Sequence, residues 1–578
     1  MPNINREEDE KMEAVLIAIN SKYIHTALGL RYISEYAKKQ GHKIILIEEN
    51  VNTPILKVLE KIMEKKAIAY GFSVHIWNKQ FVFRLIKMLK KLRPTSLIIV
   101  GGPEVAFDPQ KIFSEINDID YIVQGEGEVV FSELLTSLQD SRDIPDHVAY
   151  KVNGEVHTSS ISILDDLSLL PFPYPDLQQI IYEKKIIYYE CTRGCPFRCS
   201  YCLSGITKFV RKRPLNLVLS DLERFIISGV SLVKFVDRTY NFDKNYYLPI
   251  MKFLANAKTK ATFHFEIKAD ILGEDVMAFL AHVPRGRFQF EIGIQSTHLP
   301  TLKAINRYDD WQKLKANVRK LLSYGNIHIH VDLIAGLPYE GFSTFAKSFN
   351  DVYGLHAHML QLGFLKVLPG TQMRSETEKH DLLYMDEPPY EILATKYMPY
   401  ENMQKLKHIE NILDQTANTG CFNGILKALI KYSDVDAFSF YQKLAIWWID
   451  SGYYPQNHNV KGVAAIIYKF IQQNFNEDIA SILTEVLRHD VFLSLPGWEP
   501  EWLNWNTRAI FSKVSTFWHN EELVRKYIPN YSFSSWRQIH KNYPIELFKY
   551  HWETMKEGEY YILLDRSDIK QEVMQLSL

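Results

Sequence analysis

Cys195, Cys199 and Cys202 stand in the run Cys191-Thr-Arg-Gly-Cys195-Pro-Phe-Arg-Cys199-Ser-Tyr-Cys202. Three thiolates this close together can hold three irons of a cubane cluster. Iron–sulfur clusters are usually held by four cysteines, so three leave one iron for an external ligand or a remote fourth residue. An iron with an open position is a place for chemistry. Zinc fits less well, because structural zinc sites are closed by four ligands, commonly as two separated pairs, and no second such pair is evident. The chain holds five cysteines in 578 residues, four of them in this run. Its first ten residues, Met1-Pro-Asn-Ile-Asn-Arg-Glu-Glu-Asp-Glu, are polar and acidic, unlike a secretory leader. A reducing, cytoplasmic setting is therefore expected. Cys191 and Cys421 are expected to be ordinary buried thiols.

The spacing Cys-x3-Cys-x2-Cys, with aromatic Tyr201 before the last cysteine, resembles the signature of the radical S-adenosylmethionine (SAM) enzymes. The resemblance implies a [4Fe-4S] cluster on Cys195, Cys199 and Cys202, with the methionine amino and carboxylate groups of SAM on the open iron. It also implies that an electron from the cluster cleaves the sulfonium to a 5′-deoxyadenosyl radical, and that a reducing partner such as a flavodoxin or ferredoxin supplies that electron.

Composition bounds the alternatives. Apolar residues are 46% and charged residues 23%, as in folded globular proteins. No apolar run approaches the ~18 residues of a membrane span. The net charge of −1 gives no global footprint for nucleic acid. A local basic run, Lys208-Phe-Val-Arg211-Lys212-Arg213, follows the cysteines. It reads either as a solvated surface or as a receiver for an anionic substrate or electron donor.

The elements that must position these cysteines alternate along the chain. Apolar runs at Glu13–Ile19, Lys43–Ile47, Ala67–Ser73, Ser96–Val100 and Asp120–Val123 read as buried strands separated by amphipathic helices, which predicts a doubly wound parallel sheet over 12–140. Ligands of such folds sit beyond the carboxyl ends of the strands. Ser73, Gly101-Gly102 and Gly125-Glu126-Gly127 fall at those ends. Their spacing resembles cobalamin-binding domains, which implies that these six residues cradle cobalamin. The Asp-x-His-x-x-Gly motif that supplies a histidine to cobalt in many such domains is absent. His25 and His75 lie near strand ends, either as structural residues or facing the ligand. Residues 141–183, with prolines at 171, 173 and 175, read as a linker and extended strap.

Over 184–370, six strand candidates follow: Lys185–Glu190, Leu232–Val236, Thr262–Glu266, Arg287–Ile294, Ile327–Ile334 and Leu360–Val367. They predict a partial βα barrel with its chemistry at the strand C-termini. The run Asp332-Leu-Ile-Ala-Gly336-Leu-Pro338-Tyr-Glu340 resembles methylthiotransferase-like radical enzymes, where it helps form the adenine pocket, and Asn306-Arg307 matches the same relatives. Glu291, Gln295 and Ser296 end the fourth strand with side chains able to bond a ribose. After the second strand, where many relatives carry Gly-Gly-Glu, this chain has Asp237-Arg238. Asp237 is expected to accept the methionine amine and Arg238 to bind its carboxylate, the alternative being a surface ion pair. Residues 371–578 read as a mainly helical, aromatic domain without a catalytic signature; it resembles an uncharacterised domain attached to some cobalamin-binding radical enzymes, where covering the barrel mouth and selecting substrate is the implied role.

Together these resemblances imply a cobalamin-dependent methyltransferase that methylates an unactivated carbon of a small or peptidic substrate. A cobalamin-assisted rearrangement or cyclisation, and a non-catalytic cobalamin or cluster sensor, stand as the alternatives.

Overall fold

A computed structural model describes residues 13–576 except Lys208, Thr507, Arg508, Asn530, Ser534 and 567–571. Lys208 of the basic run and the acidic N-terminal run thus lie outside the described residues. The chain forms two compact units, Met1–Phe345 with Gly363–Met403, and Ala346–Leu362 with Gln404–Leu578.

The first unit opens with strands β1 (Glu13–Asn20), β2 (Lys43–Asn50), β3 (Ala69–Ser73), β4 (Leu97–Gly101) and β5 (Tyr121–Val123), paired in parallel in the order β2-β1-β3-β4-β5. Seven of the eight β1 residues are buried. Val15, Ile17 and Ile19 face a core shared with the helices Ile55–Met63, Lys79–Leu92 and Pro109–Glu115. Ala14, Leu16 and Ala18 face the other, shared with Leu28–Lys39 and Glu128–Asp140. Successive side chains of a strand point to opposite faces, so a strand covered on both sides must be apolar throughout. The helices change face between β1 and β3, and at such a switch the strand ends leave an open crevice.

The expected linker 141–183 needs correction at its start. Two further strands, β6 (Val148–Val152) and β7 (Glu155–His157), extend the sheet antiparallel beyond β5. Asn153-Gly154 turns between them with φ of 51° and 86°. That dipeptide is a strong local hairpin signal, because both residues tolerate positive φ. The proline strap follows and is pinned to the fold. Leu167 and Leu170 pack on Tyr32, and Arg31 donates to Asp176 Oδ1 at 2.7 Å.

The six barrel strands are β8 (Ile187–Tyr189), β9 (Leu232–Phe235), β10 (Thr262–Ile267), β11 (Phe288–Gln295), β12 (His328–Ala335) and β13 (Met359–Phe364), which neighbour one another in chain order. Pairing from β8 to β12 is parallel. In β11 buried residues alternate with half-exposed ones, Phe288, Phe290, Ile292 and Ile294 against Gln289, Glu291, Gly293 and Gln295. One face is therefore core and the other a polar wall.

The second unit is led by helices Tyr400–Gln415, Asn423–Ser433, Ala437–Asp450, Val460–Asn474 and Glu477–Ser494. Asp436, Asn459 and Asn476 cap the last three by accepting from Ser439, Gly462 and Ile479 amides at 2.8–3.0 Å. It also contains a three-stranded antiparallel sheet, β14 (Ile545–Tyr550), β15 (Glu557–Asp565) and β16 (Glu572–Leu576). The purely local reading of 371–578 missed this sheet, whose pairing is made by strand-to-strand contact. Gly363–Met403 packs with the first unit. Among the described residues no helix is long and apolar enough to cross a membrane.

Candidate functional site

Beyond β8 the chain enters a short ribbon in which Thr192–Arg193 pairs antiparallel with Arg211–Lys212. The loop closed by this ribbon carries Cys195, Cys199 and Cys202. It is pinned at its middle, where Ser200 N donates to Ile305 O at 3.0 Å and Met373 N to Ser200 O at 2.8 Å. All three thiols are free, Cys195 buried and the other two partly exposed. Cys195 Sγ lies 3.5 Å from Thr239 Oγ1, and Arg307 Nη1 is 3.9 Å from Cys199 Sγ. Burial pushes the Cys199 thiol up, opposed by Arg307. A cavity of about 790 Å³ opens on this loop beside Cys199, Cys202, Asn306, Tyr308 and Gln372. Free thiols on one pinned loop, with a guanidinium to offset thiolate charge, fit a cluster that distributes its ligands over separate irons. Among the described residues no three Cys, His, Asp or Glu side chains gather around a single ion position.

The other cysteines lie apart. Cys191 is 1% exposed and burial raises its thiol well above the ordinary value. Cys421 lies in the second unit and is partly exposed, not fully buried as expected.

The basic run is not an open patch. Arg211 pairs with Glu126, Arg213 with Asp221, and Lys212 with Asp243, and both arginines are buried. Among the described residues of the run, Arg211 finds its partner in the turn after β5 of the first sheet and Arg213 finds its partner on the helix that follows.

The residues expected around SAM divide into two groups. Glu291 and Gln295 of β11 and Asp332 of β12 stand on the polar wall, beside Glu266 of β10, which pairs in register with Glu291. A register shift between Gly293 and Gln295, with Gln295 at φ 70°, re-aims the Gln295 side chain. Gln295 Oε1 and Asp332 Oδ1 are buried acceptors without a hydrogen-bond partner. Buried polar atoms are rarely left unpaired, so both fit a ligand that brings donors such as hydroxyl or amine groups. Burial, then repulsion from Glu291 and Glu266, pushes the Asp332 carboxyl up to about 8. Burial likewise moves Glu266 to about 7. Glu291 is held below its ordinary value by His264, whose Nε2 lies 3.1 Å away. Gly336 follows β12 at φ 87°, where an added Cβ would lie 2.7 Å from Ile392. Ser296 Oγ donates to Glu340 Oε1 at 2.6 Å. Tyr201 lies in the cysteine loop near Cys199 and Arg307.

Asp237 and Arg238 are not brought together. The Asp237 carboxylate is 1% exposed and accepts from Cys191 N at 3.0 Å and Thr192 Oγ1 at 2.6 Å. It holds the backbone leading into the cysteine loop. Arg238 turns away, 3.8 Å from Glu266 and lining a second cavity. Glu266 and Arg307 are the residues that the motif reading left without a role. A polar residue ending Thr262-Phe-His-Phe-Glu266 was the available signal for the first.

The second cavity, about 620 Å³, opens at the carboxyl ends of the first sheet. Ser73, Gly101, Gly102, Gly125, Glu126 and Gly127 all line it, as do His25 and His75. Its far wall comes from Tyr188, Glu190, Arg193, Val236 and Arg238 around the first two barrel strands. The His75 ring stacks on Trp77 at 4.4 Å, and burial lowers its pKa to about 4, so it is neutral near pH 7. His25 Nδ1 is 2.6 Å from the Tyr188 hydroxyl. The Glu126 carboxylate is not free for a ligand, since Arg211, Arg193 and Leu164 N already donate to it. A long crevice with apolar depth and small residues at its rim fits a bulky planar cofactor with a tail. Gly102 sits at φ 105°, and an added Cβ would stand 2.6 Å from Val74 O. Gly102→Ala is therefore expected to destabilise the fold by about 2 kcal/mol through backbone strain and to weaken the cobalamin binding that the sequence resemblance implies; thermal melting and equilibrium dialysis read the two effects.

Comparison with known proteins agrees with this arrangement. The B12 binding domain model matches residues 14–135, the radical SAM superfamily model 189–352, and a protein family of unknown function, DUF4080, 378–564. An uncharacterised methyltransferase of Pyrococcus horikoshii is 23% identical over 394 residues, covering 66% of this chain and 83% of its own. The cobalamin-dependent radical SAM methyltransferase TokK of Streptomyces tokunonensis is 26% identical over 328 residues, 52% of this chain and 46% of its own. This chain thus spans about half of TokK. Among solved structures, the cobalamin-dependent radical SAM enzyme OxsB, with aqua-cobalamin and SAM bound, shares the fold at a TM-score of 0.62 and 16% identity, over 84% of this chain and 81% of its own. The chain thus carries a B12-binding domain, a radical SAM domain and a DUF4080 domain in that order, and cobalamin-dependent radical SAM enzymes are its structural neighbours.

Proposed function

We propose that this enzyme transfers a methyl group to an unactivated carbon of a small or peptidic substrate. One observation carries the reading: the six residues expected to cradle cobalamin line a single cavity that is also lined by residues around the first two barrel strands, the first of which leads into the cysteine loop. When bound, the cluster supplies a low-potential electron, SAM a reductively cleavable sulfonium and a methyl group, and cobalamin a methyl carrier. Cys195, Cys199 and Cys202 would hold the cluster, and Gln295 and Asp332 offer acceptors to SAM. At neutral pH Asp332 is largely protonated on one oxygen, so it can donate as well as accept. Arg307 keeps positive charge beside Cys199, and its Nε is held by Asp309 Oδ2 at 2.5 Å. The polar wall of β10–β12 orients groups within the barrel, while the apolar helix-facing side excludes water. The electron donor is a small redox protein such as a flavodoxin or ferredoxin, and three free thiols suit a reducing cytoplasm.

Anaerobic reconstitution with iron, sulfide and cobalamin, followed by product analysis on candidate substrates, tests the reading. S-adenosylhomocysteine and 5′-deoxyadenosine are expected together, with a product heavier by one methylene. Deoxyadenosine without S-adenosylhomocysteine, in the presence of a turned-over substrate, would instead support rearrangement or cyclisation.

A further inference from the structure

A buried ion network joins the first sheet to the ribbon that closes the cysteine loop. Arg193 stands in that ribbon two residues before Cys195. Its Nη1 donates to Glu126 Oε2 at 3.1 Å and its Nη2 to Glu128 Oε1 at 2.5 Å. Nη2 and Nε also reach Glu190 Oε1, at 2.7 and 2.9 Å. Arg211, its register partner across the ribbon, grips both oxygens of Glu126 at 2.7 and 2.8 Å. The Arg193 and Glu128 side chains are 11% and 4% exposed. Glu126, Glu128, Glu190 and Arg193 are at the same time part of the cavity wall.

Ions this deeply desolvated hold one another firmly, because releasing any one leaves an uncompensated buried charge. The network therefore has two discrete ends. One is the Gly125–Glu128 turn at the cavity rim, and the other is the base of the cysteine loop. A molecule seated in the cavity would lie against the same side chains that tie the rim turn to the base of the cysteine loop. We propose that Arg193 is a positioning residue that couples occupancy of the cobalamin cavity to the geometry of the cluster loop. The inference rests on the cavity taking cobalamin, as in the proposed function. Coupling of this kind is reciprocal: a loop held in its working geometry by cluster and SAM tightens the cavity by the same factor.

Cobalamin affinity, measured on the full-length protein by equilibrium dialysis, tests the coupling. It is compared between the cluster-free protein and the cluster-reconstituted protein with SAM. The wild type is expected to bind cobalamin about fivefold more tightly in the second state. In Arg193→Lys, which keeps the charge but loses the fork that reaches three carboxylates, the ratio is expected to fall to about one. A merely structural role would weaken both states alike and leave the ratio unchanged. If Arg193→Lys does not fold, Glu128→Gln gives the same reading. A wild-type ratio of one, or a ratio that survives in the folded variant, overturns the proposal. A wild type that makes both nucleoside products yet has a ratio of one loses the coupling alone. A wild type that binds no cobalamin in either state loses the proposed function as well.

Discussion

Cys199→Ala abolishes the [4Fe-4S] absorption of the reconstituted enzyme and reduces SAM cleavage to background. The loop supplies only three clustered thiols, and Cys199 is the one that Arg307 approaches, at 3.9 Å. Removing it leaves two protein ligands for a cluster that needs at least three here. Far-UV circular dichroism should be unchanged, because the loop backbone is held by Ser200 and the ribbon, not by the thiol. Cys421→Ala is the control: it lies in the other unit and should keep both iron content and cleavage. Iron and sulfide analysis of the two variants checks the assignment. A Cys199→Ala protein that retains four irons and an intact spectrum would remove Cys199 from the ligand set.

Arg488→Ala lowers the stability of the second unit by about 3–5 kcal/mol, the cost of stranding a buried partner charge. Arg488 is 0% exposed on the helix Glu477–Ser494. Its Nη1 donates to Glu546 Oε1 at 2.9 Å, and Glu546 is itself 1% exposed. Its Nη2 reaches Leu547 O at 2.7 Å and Glu485 Oε2 at 2.9 Å. The guanidinium also lies over the Phe548 ring at 4.4 Å. One side chain thus ties the helix to the first strand of the terminal sheet. Urea unfolding followed by tryptophan fluorescence reads the loss, since this region is rich in tryptophan. A change under about 1 kcal/mol, the range of exposed ion pairs, would mean that Glu546 finds water when Arg488 is gone.

Much of the first unit was legible before any coordinates. Strands covered on both faces declare themselves by unbroken apolar runs, and β1 to β5 fall within a few residues of the runs that predicted them. The barrel strands declare themselves by alternation instead, with buried apolar residues on the core face and half-exposed polar ones on the other, as in β11 and β12. Features made by distant pairing were harder to see. The β6–β7 hairpin had a local signal in Asn153-Gly154, but the proline strap beyond it dominated the reading. The terminal sheet joins Ile545–Tyr550 to Glu557–Asp565 through a turn at 551–556, whose residues His-Trp-Glu-Thr-Met-Lys include no glycine, proline or asparagine to announce it. Arg211 looked like a solvent-facing cation because its partner Glu126 lies 85 residues away in the chain.

The same division holds at the site. Cysteine spacing alone determined that three thiols share one loop, because eight residues cannot separate them far. Glycines and Ser73 at strand ends were likewise legible, since parallel strands must end on a common edge. Only the tertiary structure decided that Asp237 turns inward to hold the Cys191 backbone while Arg238 turns toward the cavity. It also decided that Arg193 meets Glu126, Glu128 and Glu190. Side-chain direction at adjacent residues, and the pairing of charges far apart in the chain, depend on which surfaces packing brings together. Composition and spacing carry no record of that.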